Sequence, residues 1–115
     1  MTKPEQRWRP IALMPAFKYA VSTAAETARV QAENMRLAID QHDLIDRVEL
    51  ARMRVVYEDT QLYIQMCEEQ LSRWRSESMT SEQVAALDRL DAIVEQWVDD
   101  TESVLDAVNA MLHQL

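Results

Sequence analysis

A chain of 115 residues with no glycine and one cysteine, Cys67, has the size of a single domain with one core. Without glycine, the positive φ angles of phosphate-cradling loops and tight hairpins are hard to reach, and a lone cysteine forms no internal disulfide, so a cytoplasmic location is the default expectation. The formal charge of −8 is uneven, with four basic groups and one acid in residues 1–18 against eight basic and nineteen acidic groups beyond them, and an acidic body disfavours direct binding to nucleic acid or to an anionic membrane.

No stretch approaches the roughly 18 apolar residues of a membrane span. The leader is not expected to act as a signal peptide, because its apolar part, "IALMPAF", is short, holds a proline and is followed by Lys18.

Residues 1–14 are read as an N-terminal arm and 15–115 as one helical domain. Pro10 and Pro15 disfavour the α region at Arg9 and Met14, so residues 9–14 are expected to be extended, with Ile11 and Leu13 pointing to one side. Each of Trp8, Ile11 and Leu13 gains about 1.5–3 kcal/mol on full burial. The arm is therefore expected to lie in an apolar groove, with Arg7 and Arg9 near carboxylates at its rim; the groove belongs to the same bundle, a second copy or a foreign partner.

From Pro15, the recurrence of Phe17, Val21, Ala24, Ala28, Met35 and Ala38 predicts a first helix with one apolar face. A thinner apolar line, Tyr19, Val30 and Leu37, runs along the opposite side as a candidate second contact. The polar run "DQHD" at 40–43 is read as a break, with Asp43 placed to cap the next helix; without glycine or proline there, one continuous helix through this point is the alternative. That second helix, Leu44 to about Arg75, carries its main stripe on Leu44, Val48, Ala51, Val55, Leu62 and Met66. Ile45, Val56, Tyr63, Cys67 and Trp74 widen it, and Met53, Ile64 and Leu71 sit further round. Such coverage suits a central helix touching two neighbours.

In "SESMTSEQV", Thr80 and Gln83 form a capping-box pair, with Met79 and Val84 at the positions of a hydrophobic staple. The third helix that starts there has a broad apolar face from Val84 to Leu115. At about 1.5 Å per residue the three helices measure roughly 40, 50 and 50 Å. The fold class expected is all-α, an elongated antiparallel bundle of three main helices with an extended N-terminal arm.

Candidate chemistry is sparse. His42 and His113 stand in no metal-binding helical motif, Cys67 has no histidine at helical spacing to activate it, and no catalytic, cofactor or metal residues are assigned. The stretch "RLAIDQHDLIDRVELARMR" resembles the first helix of small helical chorismate mutases in Arg36, Ile39, Asp40 and Asp43. It departs where Asp46 and Glu49 replace apolar positions and where no lysine follows Lys18, and a dianion site sits badly in an acidic body, so the resemblance is not adopted.

The most regular polar feature is the acidic row Asp88, Asp91, Glu95, Asp99, Glu102 and Asp106, opposite the third helix's apolar face. No lysine or arginine follows Arg89. Like charges at i,i+4 and acids near a helix C-terminus both oppose helix stability. The row reads as a solvated face, as a docking surface for a basic partner in which Glu95, Asp99 and Glu102 are the candidates, or as a face compensated by the chain's own basic leader; Trp8 and Trp74, each inside an Arg-Trp-Arg triplet, are read as core or lid residues or as candidates for partner contacts. The function expected is non-enzymatic: a regulator, such as a transcription-factor antagonist or an antitoxin, that binds another protein and forms a homodimer. The alternative is a structural subunit, with a small helical enzyme behind it.

Overall fold

The computed structural model describes residues 8–41 and 45–114. Its elements are a short 3-10 turn, Ile11–Leu13, followed by α1 (Met14–Ala38), α2 (Arg47–Arg75) and α3 (Ser81–Gln114). The helices run up, down and up, forming an all-α bundle: Phe17 of α1 meets Trp74 at the far end of α2, edge to face at 5.2 Å. The Cα radius of gyration is 17.1 Å, against about 13 Å for a compact domain of this length. The bundle is thus elongated, 52 × 39 × 17 Å.

The central helix is α3. It packs against both α1 and α2, which corrects the expectation that α2 would take that place. The reason is the width of its apolar face: Leu87, Leu90, Val94, Trp97, Val104 and Val108 are all nearly inaccessible. One core layer joins Leu87, Leu90, Val94 and Trp97 to Met14, Phe17, Val21, Ile64, Leu71 and Trp74. A second layer, nearer the α1–α2 connection, joins Ala32, Met35, Leu50, Val104, Val108 and Met111.

On α2 the core face is not the stripe that the periodicity favours. Leu50, Ile64, Cys67, Leu71 and Trp74 are buried, whereas Val48, Val55 and Leu62 are 67%, 58% and 60% exposed. Two apolar faces compete on this helix, and the less regular one, interrupted by the buried Gln70, is the one that α3 covers.

The helix ends follow their caps. Thr80 Oγ1 accepts from Gln83 N–H at 3.1 Å, and Gln83 Oε1 accepts from Thr80 N–H at 2.9 Å, the reciprocal pair that starts α3. Met79 packs against the core, while Val84 stays at the surface. The cap of α2 is Asp46, whose Oδ1 accepts from Glu49 N–H at 2.8 Å. Asp43, expected in that role, lies outside the described residues, as do Arg7, His42, Leu44 and Leu115. The break between Ala38 and Arg47 also divides the stretch that resembles a single chorismate mutase helix.

The extended conformation expected for residues 9–14 is corrected as well. Pro10 is extended (φ −65°, ψ 151°), but Leu13 N–H donates to Pro10 C=O at 2.9 Å, and Met14 is helical at φ −54°, ψ −41°. The steric penalty on a residue before proline is a preference. Here burying Met14 and seating Pro15 in the first helical turn, where its missing N–H costs nothing, outweigh it. In consequence Ile11 turns toward the core and Leu13 turns outward, 43% exposed.

Candidate interaction surfaces

The leader packs on its own bundle, against the last turns of α2. Gln70, almost fully buried, presents its amide to the Arg9 backbone: Oε1 accepts from Arg9 N–H at 2.7 Å, and Nε2 donates to Arg9 C=O at 3.4 Å. Trp74 Nε1 donates to the same carbonyl at 2.9 Å. The Arg73 guanidinium lies over the Trp8 ring, 4.2 Å from its centroid, a cation–π contact. Trp8 and Arg9 of one Arg-Trp-Arg triplet thus meet Arg73 and Trp74 of the other. Their shared composition is visible in the sequence, but their pairing is not.

Trp74 is therefore a core residue, fully buried, and offers nothing to a partner. Trp8 is partly buried beneath Arg73. Arg9 is held by its backbone, and its guanidinium forms no ion pair among the described residues, contrary to the expected rim contact. The reason is geometric: Gln70 and Trp74 satisfy the main chain from below, which leaves the side chain on the outside.

The thin apolar line on α1 is exposed, with Tyr19 at 76%, Val30 at 41% and Leu37 at 75%. At about 1.5 Å per residue these side chains stand roughly 16 and 10 Å apart. Between them Arg29 pairs with Glu26 and Glu33. They form no continuous patch, and isolated apolar residues of this kind are ordinary surface.

A broader face of exposed apolar side chains does exist on α2. Val48, Val55, Val56, Leu62, Tyr63 and Met66, from 43% to 67% exposed, fall within about 120° of arc at 100° per residue. Beside it an open cleft of about 420 Å³ separates α1 from α2, walled by Ala24, Thr27, Val56 and Tyr63, with Trp97 of α3 at its base. Tyr63 meets Trp97 edge to face at 6.0 Å. Sequence reasoning took this surface for core.

The acidic row of α3 divides into two parts. Arg75 pairs with Asp88 at 2.6 Å and with Asp91, so the first two acids are compensated by α2. Glu95, Asp99, Glu102 and Asp106 are exposed and form no ion pair among the described residues. Glu102 and Glu68 share the walls of a second cleft, of about 280 Å³, between α2 and α3.

Asp100, beside the row, is buried. Its Oδ1 accepts from Gln96 at 3.3 Å, while its Oδ2 and the hydroxyl of fully buried Thr101 have no partner among the described residues. The doublet Asp99-Asp100 carries the signal that was missed: consecutive helical residues are about 100° apart, so only one of two adjacent acids can belong to a solvent-facing row.

Cys67 is buried among apolar side chains, and burial pushes its thiol up to about 11, which suits packing better than reactivity. Among the described residues no helix is long and apolar enough to cross a membrane, and no three His, Cys, Asp or Glu side chains are grouped to hold a metal ion. No protein-family model, curated protein or solved structure matches the chain.

Proposed function

We propose that this protein is a non-enzymatic, cytoplasmic regulator that binds and modulates another protein through the acidic face of α3. A transcription-factor antagonist or an antitoxin is the kind of role meant. The observation that carries the reading is the uncompensated half of the acidic row, Glu95, Asp99, Glu102 and Asp106. Repulsion at i,i+4 costs a few tenths of a kcal/mol per pair, and acids toward a helix C-terminus oppose the dipole. No ion pair among the described residues offsets that cost, whereas a basic partner surface turns it into attraction and speeds encounter.

The test compares capture from an extract of the source organism by the wild-type protein and by the triple variant Glu95→Gln, Asp99→Asn, Glu102→Gln. All three side chains are exposed, so the bundle keeps its shape. A basic protein retained by the wild type and lost by the variant is the expected result. Identical retention by both proteins would remove the row from the function. A second reading, an assembly element, is favoured by a different observation, the exposed apolar face of α2.

A further inference from the structure

The exposed face of α2 has a heptad order. Arg52, Asp59 and Met66 repeat every seven residues along it, and Val48, Val55 and Leu62 form a second seven-residue series, the latter two standing three residues after Arg52 and Asp59. Three consecutive heptads with apolar residues at every second-set position are the pattern of a helix that pairs with another helix. In this bundle α3 lies on the other side of α2, against Leu50, Ile64 and Leu71. The seam is therefore uncovered.

Its two charges identify what covers it. Arg52 and Asp59 lie near the middle of the apolar arc, within about 40° of Val48 at 100° per residue. Asp59 forms no ion pair among the described residues, and Arg52 makes only a 3.5 Å, largely exposed contact with Glu49. The two are equidistant from a point between Val55 and Val56. A second α2 laid antiparallel about a two-fold axis at that point sets each Arg52 opposite Asp59 of the second copy, with Val48 at the axial level of Tyr63 and Val55 at that of Val56 on the flanks of the contact. A parallel pairing in register would instead set arginine against arginine and aspartate against aspartate. The face is thus complementary to itself in one orientation, which is the requirement of an isologous dimer contact. Polar residues at heptad core positions commonly fix register in this way, at some cost in stability.

We infer that the protein forms a homodimer through α2, antiparallel, with its register set by two Arg52–Asp59 pairs across the two-fold axis. The inference rests on α2 and is independent of the role proposed for α3. Because α3 lies on the far side of α2 from the seam, the dimer leaves both acidic rows exposed on opposite outer sides and presents them to partners as a bivalent display.

Solution mass with charge exchange tests it, on the full chain with far-UV circular dichroism to confirm folding. The wild type is expected at twice its 13.4 kDa. Leu62→Glu, at an exposed position, should give a folded monomer. Asp59→Arg alone and Arg52→Asp alone should each weaken dimerisation by about tenfold or more, and the combined Arg52→Asp, Asp59→Arg chain should recover to within about threefold of wild type. A wild type that stays monomeric at high concentration overturns the inference. So does a dimer indifferent to Leu62→Glu, or one that the combined exchange fails to restore. None of these readouts involves the acidic row, so this inference and the proposed function can fail separately.

Discussion

Replacing Gln70 by methionine isolates the attachment of the leader. The substitution nearly keeps the side-chain volume in a site that is 4% exposed, and it removes both contacts to Arg9, at 2.7 and 3.4 Å. The shorter bond contributes about 1 kcal/mol net and the longer one little, while the stranded Arg9 N–H adds up to about another 1 kcal/mol because water reaches it only in part. Trp74 Nε1 still holds the Arg9 carbonyl, so the leader loosens without detaching. The expected loss is about 1–2 kcal/mol, or roughly 4–8 °C in Tm for a domain of this size. Thermal and urea unfolding followed by circular dichroism measure it. The decisive comparison is a chain lacking residues 1–9, in which the same substitution should cost less than about 0.5 kcal/mol or even stabilise, because Gln70 then has no backbone to receive. An equal loss with and without the leader would refute the view that Gln70 is buried in order to hold it.

Three further outcomes follow from the packing. Thr80→Ala should cost about 1 kcal/mol in urea unfolding by removing one arm of the reciprocal cap of α3. Thr101→Val, which deletes a fully buried hydroxyl without a partner among the described residues, should be neutral or stabilise by about 1 kcal/mol, since no hydrogen bond is lost there and a desolvation cost disappears. The Cys67 thiol is raised by burial from 9.0 to about 11, so the unfolded chain ionises first as pH rises. Its contribution to stability is complete below pH 9 and is lost through pH 11; Cys67→Ala should make the alkaline decline in unfolding free energy shallower.

Those elements whose termini carry their own chemistry were legible in the sequence. Thr80 and Gln83 announce the start of α3, and Pro15 fits the first turn of α1 because neither position depends on distant residues. The face of α2 was not legible, because periodicity reports that a helix has an apolar side but not what covers it. Val48, Val55 and Leu62 repeat more cleanly than Leu50, Ile64, Gln70 and Trp74, and only the breadth of the α3 face decides between them. The leader's need for a groove followed from Trp8, Ile11 and Leu13 taken together, of which Leu13 proves to face outward. That Gln70 and Trp74 would receive its backbone did not, since a glutamine on an apolar stripe reads as an interruption until the segment it bonds, 61 residues away, is in place. For the acidic row, spacing placed Glu95, Asp99 and Glu102 on one exposed side, but the compensation of Asp88 and Asp91 by Arg75 depends on how α2 and α3 pack.

The central claim, that a basic partner reads the uncompensated acids of α3, is tested most directly by measuring affinity for the captured partner from about 0.05 to about 0.5 M salt, a range over which the Debye length falls from well above to well below 10 Å. The account predicts that wild-type affinity falls steeply with salt, and that the Glu95→Gln, Asp99→Asn, Glu102→Gln variant binds weakly at every concentration with a nearly flat dependence. Equal slopes and equal low-salt affinities for the two proteins would contradict it and leave the row as a solvated surface.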